Sequence, residues 1–338
     1  MLTYSPEFVE NSEYAYAVAR IRALETKLID GAGYNSLITA PMDRFHPLFT
    51  EITGIRNNGS PDVHLLLKNL EESFTGHLYM IKSFILEDEI KRLISLEYDY
   101  ELLKFIIKEE KFQNISIPYE LSSRSNYSHP VLRSMLDFGH VLDTGEIMYN
   151  TYLSLKNTKV LTGNIIDNEC DYSYYTELFQ ILFEYNNAFV TDFFVRKVDI
   201  RNIRTTLRLK IRGEKRTSIR DRFLPFGSID IKFLEQGFDH NLEGFAAMIV
   251  FSPFSMILRN VDKKGDEENQ VVQAEKLLEE DLVQYLKESI FVTFGIEPVL
   301  AYLWVKEVEV KNLRIILQAK AAGILPEEIK RYVRGLYG

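Results

Sequence analysis

The sequence predicts an all-α protein built from three related helical units. Apolar residues recur at spacings of three and four along most of the chain, which is the period of a helix, while the alternation of a strand is scarce. The chain also repeats itself. Residues 90–107, 190–207 and 300–317 align without gaps, with Asp99, Asp199 and Glu309 in register.

The first helix starts after Asn11 and Ser12, both good N-cap residues. Its apolar stripe is Tyr14, Val18, Ile21, Leu24 and Leu28, and the pair Gly31 and Gly33 is expected to end it. In the three repeats, counted from the acid, positions −9, −6, −5, −1, +1, +4 and +8 are all apolar, and +5 is basic: Lys104, Arg204 and Arg314. With 46% apolar residues, chance gives about two such three-way matches in eighteen positions, where seven occur.

The first four apolar positions lie on one helix face and the last three on nearly the opposite one, so the stripe changes sides at the acid. A helix of that kind packs against one neighbour in its first half and another in its second, or breaks there. Acid and base five apart are not helix neighbours, so the acids are expected to be solvated or to pair between repeats. Asn202 and Asn312, three positions after Asp199 and Glu309, are expected to hydrogen-bond locally; the first repeat has Leu102 there.

Residues 116–130, rich in Ser and Asn between Pro118 and Pro130, read as a linker, and residues 225–228 as another. Residues 262–269 read as a charged surface loop. Three units follow: 1–120, containing the N-terminal helix and first repeat, then 121–227 and 228–338.

Composition narrows the function. The 338 residues carry 40 Lys+Arg and 49 Asp+Glu, a net charge of −9 with pI near 5.4. That argues against general affinity for nucleic acid or an anionic membrane. The single cysteine, Cys170, permits neither an intrachain disulfide nor a cysteine zinc site, and a reducing cytosolic compartment is the simplest home. No signal-peptide pattern opens the chain, and the longest purely apolar stretch, residues 245–251, is far short of a membrane span.

The search for chemistry finds no catalytic, cofactor or metal site. Gly31-Ala32-Gly33-Tyr34-Asn35-Ser36 is a partial dinucleotide fingerprint, but it follows a helix where a strand is required. His46, His64, His77, His129, His140 and His240 include no pair at ligand spacing. Cys170 reads as an isolated thiol, and residues 87–89 and 279–281 as solvated acidic helix faces. Lys210, Arg212, Lys215, Arg216, Arg220 and Arg222 form a basic stretch in an acidic chain, either an ordinary loop or a dock for an acidic protein surface.

Two stretches carry a family resemblance. Residues 294–314, containing Phe294-Gly295-Ile296-Glu297-Pro298 and Tyr302-Leu303-Trp304, continuing to Leu325-Pro326-Glu327-Glu328-Ile329-Lys330, resemble the end of the central-stalk C subunit of V-type and A-type rotary ATPases, whose eukaryotic counterpart is the d subunit. Residues 14–25 are similar to that family's first helix. The resemblance implies three helical domains around a central cavity, a funnel between the axle (D- and F-type subunits) and the membrane proteolipid rotor ring. It implies no enzyme activity in the chain alone, no cofactor, and a place at the cytoplasmic face of the membrane within a complex that transports H+ or Na+. Asp99, Lys104, Asp199, Asn202, Arg204, Glu309, Asn312 and Arg314 are then structural positions of the repeat helices. Arg20, Arg22 and the Lys210 to Arg222 stretch are candidate contacts to neighbouring subunits, with ordinary solvent exposure as the alternative. A helical-repeat scaffold unrelated to rotary motors is the competing class, and a helical acidic hydrolase a third.

Overall fold

The computed structural model describes residues 10–56, 62–112, 117–139, 145–215, 220–262 and 264–335. Among them every regular element is helical and no strand occurs. In chain order the α-helices are α1 (Ala15–Glu25), α2 (Gly31–Thr39), α3 (Met42–Thr53), α4 (Val63–Phe84), α5 (Asp88–Phe112), α6 (Tyr119–Arg124), α7 (His129–Phe138) and α8 (Glu146–Asn157). They continue as α9 (Gly163–Tyr185), α10 (Ala188–Ile211), α11 (Ile231–Gly237), α12 (Leu242–Met248), α13 (Phe254–Arg259), α14 (Glu267–Lys287), α15 (Glu297–Ala321) and α16 (Pro326–Tyr332). The three repeat segments lie in the long helices α5, α10 and α15.

Local chemistry explains the boundaries. Asn11 accepts the Glu13 N–H at 3.0 Å and opens a 3-10 turn that leads into α1. Gly31 and Gly33 do not end that helix. They open α2, because Asp30 caps it by accepting the Gly33 N–H at 2.7 Å, and a Cβ on Gly33 would press on Ile29. Asn186, at φ 53, turns the chain from α9 into α10 in two residues, a left-handed conformation Asn tolerates. The charged stretch 262–269 is only partly loop, since Asp266 caps α14 from Glu267 onward.

The chain divides into two compact units. One comprises Leu78–Asn187; in it α5 packs against α6, α7, α8 and α9, and α8 against α9. The other comprises Met1–His77 with Ala188–Gly338. There α10 packs on α14, α1 and α16 on α15, and α11 to α13 on one another. Phe193 of α10 stacks on Trp304 of α15, ring centroids 3.9 Å apart and 13° from parallel, with Phe194 edge-on to the same indole. These are the −6 and −5 residues of the second repeat meeting the −5 residue of the third. Of the 21 repeat apolar positions, all but the half-buried Tyr98 and Val308 are buried.

Candidate functional site

The acids and asparagines of the repeat helices are buried, where solvated acids or ion pairs between repeats are expected from the sequence. Asp99 and Asp199 are each 1% exposed and Glu309 5%. Each carboxylate receives backbone N–H groups from a connecting segment instead of a cation from another repeat. Asp99 accepts the Asn126 N–H at 2.7 Å and the Asn126 Nδ2–H at 2.6 Å. Asp199 accepts Ser228 N–H at 3.1 Å, Ser228 O–H at 2.6 Å and Ile229 N–H at 3.1 Å. Glu309 accepts the Ile29 N–H at 2.9 Å and pairs with Lys306 one turn earlier. Burial pushes Asp99 and Asp199 above the ordinary carboxylate range, while the hydrogen bonds from Asn126, Ser228 and Ile229 hold them down.

The two segments read as linkers are therefore the receivers of Asp99 and Asp199. The first contains helix α6 and the buried Arg124, and the second presents Ser228 and follows directly on the buried Leu224. Asn126 and Ser228 are the residues of these segments that donate to the acids. A polar connection between helices satisfies a buried carboxylate without importing a second charge, which avoids the desolvation of an ion pair.

The asparagines do not bond locally either. Asn202 donates Nδ2–H to the Leu224 carbonyl at 2.8 Å and accepts the Leu224 N–H at 2.9 Å, bridging 22 residues. Asn312 treats Arg334 in the same way at 2.6 and 3.0 Å, again across 22 residues. Where the first repeat has Leu102, the carbonyl 22 residues on belongs to Arg124, and Ser95 supplies its donor at 2.6 Å.

The +5 bases make the ion pairs. Lys104 reaches Asp171 on α9 at 2.6 Å, and also Glu101. Arg204 pairs with Glu279 on α14, and Arg314 with Glu71 on α4 at 2.9 Å. Burial alone would lower the Lys104 pKa, but Asp171 and Glu101 raise it. The three acids stand 28, 28 and 30 positions ahead of Asp99 (Glu71), Asp199 (Asp171) and Glu309 (Glu279). Each repeat helix thus bonds a connecting segment and then a long helix that precede the next repeat helix, and α15 reaches back to Ile29 and Glu71 at the start of the chain.

Glu279 and Asp281 are correspondingly not a solvated face: Glu279 also meets Arg334 at 3.6 Å, and Asp281 meets Arg196 at 3.3 Å. Glu275 of the same helix, 2% exposed, takes Arg208 at 2.8 Å and Arg334 at 3.2 Å. The roles of Asn126, Ser228, Ile29, Glu71 and Asp171 escape the sequence reading, and Glu279 is expected there on a solvated face. Extending the repeat alignment backwards by 28 residues brings up Glu71, Asp171 and Asp281, with Glu279 two positions before the last.

The candidate contact residues divide. Arg22 bonds Glu25 through both carboxylate oxygens at 2.8 Å and the Ser289 and Val292 carbonyls at 2.8 and 3.3 Å, tying α1 to the turn before α15. Arg20, Arg212 and Lys215 are exposed and Arg222 is half-buried. Arg220 is exposed and meets Glu235 at 3.3 Å. Lys210 bonds the His240 carbonyl and lines a cavity of about 520 Å3 with Leu207, Ile211, Leu242 and Leu258. Arg216 lies outside the described residues. Cys170 is fully buried, which raises its thiol pKa. Among the described residues no group of three His, Cys, Asp or Glu side chains is placed to hold a metal.

The geometry is that of a framework, with the acids, asparagines and bases of the repeat helices turned to other parts of the chain. A sequence model of the family described as ATP synthase (C/AC39) subunit matches residues 17–332. The chain belongs to that family. The C subunit of the A-type ATP synthase of Methanococcoides burtonii is 28% identical over 346 residues, covering 95% of this chain and 94% of the relative. Those of Thermococcus kodakarensis and Thermococcus gammatolerans are 24% and 25% identical over 334 residues, covering 95% of this chain and 90% and 89% of the relatives. C/AC39 subunits are structural, non-catalytic parts of rotary ATP synthase complexes. Family membership removes the unrelated scaffold and the hydrolase. No described helix is long and apolar enough to cross a membrane.

Proposed function

We propose that this chain is the central-stalk coupler of a V/A-type rotary ATPase. It is a socket that seats the axle, made of D- and F-type subunits, and rides on the proteolipid rotor ring at the cytoplasmic face of the membrane. ATP hydrolysis or synthesis is thereby coupled to H+ or Na+ transport. The observation that carries this reading is the family match over residues 17–332. The framework supports it, because transmitted torque demands rigid walls, and polar clamps recur at matching positions of α5, α10 and α15.

In this reading the chain is a pseudo-repeat of three helical domains, 1–120, 121–227 and 228–338, around a central cavity that receives the foot of the axle. Asp99, Asp199 and Glu309, with Lys104, Arg204 and Arg314, stiffen the walls. Arg20 and the basic stretch from Lys210 to Arg222 meet acidic surfaces of neighbouring subunits. The test is a pull-down with the purified chain as bait and detergent-solubilised membranes of the source cell as input, read by mass spectrometry. Recovery of axle subunits together with a small, very hydrophobic ring protein is the expected result. Retention of neither by folded bait overturns the proposal.

A further inference from the structure

Lys210 stands at the edge of a cavity of about 520 Å3, enclosed by the end of α10, helices α12 and α13 and the start of α14. All of it lies in the unit made of Met1–His77 and Ala188–Gly338. The inner wall is apolar: Leu207, Leu258, Val261 and Val271 line it, and each is buried. On the α12 side the wall includes Ala247, an exposed residue whose methyl group leaves the space that a larger side chain would fill. Protein interiors are otherwise close-packed, and an apolar hollow of this volume has the dimensions of a small-molecule site.

The rim is polar, and its donors have hydrogens to spare. Lys210, in the last turn of α10, gives one N–H to the His240 carbonyl and keeps two. Arg259, at the end of α13, is exposed and forms no ion pair among the described residues. The Asn241 carboxamide accepts the Gly244 N–H at 2.8 Å, and its NH2 group has no partner among the described residues. The rim acids, Glu243 and Glu267, stand in the first turns of α12 and α14, where the helix N-termini offset their charge. Two cations and an amide with uncommitted hydrogens suit an anionic group.

We propose that this cavity binds a single acyl chain ending in an anionic head group, with the chain against the apolar wall and the head against Lys210 and Arg259. A methylene group is close in size to a water molecule, about 30 Å3, so the cavity holds a chain of no more than about seventeen carbons. One apolar side chain from a neighbouring protein would leave much of that volume empty. Capture of one chain also differs from attachment to an anionic membrane surface, which the net charge of −9 opposes. Free fatty acids and single-chain anionic lipids share this chemistry. The site does not depend on the coupler role.

Isothermal titration calorimetry of the purified chain with straight-chain carboxylates of eight to eighteen carbons, below their micelle concentrations, tests the site. Affinity is expected to rise about fourfold per added carbon, the effect of burying one methylene, and to level off by about seventeen. Dodecan-1-ol, which has the same chain as dodecanoate and no charge, is expected to bind at least tenfold more weakly. Lys210→Met is expected to weaken dodecanoate about tenfold and to leave dodecan-1-ol unchanged, a split that a merely structural role for the lysine would not produce. Ala247→Trp fills the cavity from an exposed position and is expected to abolish binding of both while the helical circular dichroism signal stays that of the wild type. Lysophosphatidylglycerol with a twelve-carbon chain separates the two sources: binding of either anion supports the site, and the tighter of the two names the source. No saturable binding of either anion, or a gain per carbon that continues to eighteen, overturns the proposal. So does dodecan-1-ol binding as tightly as dodecanoate, an equal loss of both in Lys210→Met, or unchanged binding in Ala247→Trp.

Discussion

Asn312 closes on the backbone of Arg334 from both sides, donating to its carbonyl at 2.6 Å and accepting its N–H at 3.0 Å. Asn202 holds Leu224 by the same two bonds at the same sequence distance. A carboxamide is the one side chain that pairs with a peptide unit as another peptide would, with donor and acceptor on a single planar group. Each clamp thus pins a connecting segment to a long helix without adding charge to the interior.

Asn202 is fully buried and Leu224 is 6% exposed, so Asn202→Leu leaves an N–H and a carbonyl unpaired away from water. At about 1–3 kcal/mol for each such group, a loss of about 3 kcal/mol is expected in urea unfolding. Asn312→Leu is expected to cost less, because Arg334 is only half-buried and water replaces the lost partner. Equal losses at both sites would contradict this account of burial.

Lys104 sits between Asp171 and Glu101 with its side chain 9% exposed. Lys104→Met strands the Asp171 charge, and a destabilisation of about 3 kcal/mol is expected. Lys104→Met with Asp171→Leu is expected to recover most of it, since no buried charge is left alone. A double variant as unstable as the single one would mean that the pair itself, rather than the orphaned acid, carries the effect.

Burial raises the Glu275 pKa, but the guanidiniums of Arg208, Arg204 and Arg334 outweigh it and leave the carboxyl below its usual range. A depressed folded-state pKa contributes stability that is present above the unfolded value, 4.5 here, and lost as pH falls below it. Glu275→Gln is expected to lower the thermal midpoint at pH 7 and to converge on the wild type near pH 3. The convergence is the diagnostic, because a packing defect would persist at every pH.

The helices and the repeat are legible because both are periodic: seven apolar positions in register suffice to find α5, α10 and α15. What the acids do is not legible, because their partners lie 27 to 30 residues onward in two cases and 280 residues back in the third. Four of the donors are backbone amides, of Asn126, Ser228, Ile229 and Ile29, which carry no residue signature. Ser and Asn in residues 116–130 have the composition of a linker, and only the fold distinguishes a polar segment in water from one in which Asn126 meets a buried acid. Gly31 and Gly33 mislead for a similar reason, since the capping carboxylate of Asp30 outweighs the glycines' reluctance to be helical. Arg22 stands out in the sequence as a polar residue seeking a partner, and its partners are in its own chain.

Gly227 offers the sharpest test of the acid clamp. It precedes Ser228, which bonds Asp199 twice, and a Cβ at this position would collide with Asp199 Oδ1 while touching Val198 Cγ1 at 3.3 Å. Its backbone is not left-handed, so the need for glycine is one of close approach rather than of conformation. Gly227→Ala must displace the carboxylate from its donors or the segment from α10, and overpacking of this kind costs about 2 kcal/mol. The effect is expected to depend on the acid: in an Asp199→Ala background the obstruction is gone, and adding Gly227→Ala costs far less than in the wild type. The coupling between the two substitutions, taken from a double-mutant cycle in urea, measures the contact. Additive losses would mean that the glycine serves something other than Asp199. Gly213→Ala is the control, since its φ of 67 strains any side chain but nothing lies within 4 Å of the added carbon, and it is expected to be additive with Asp199→Ala.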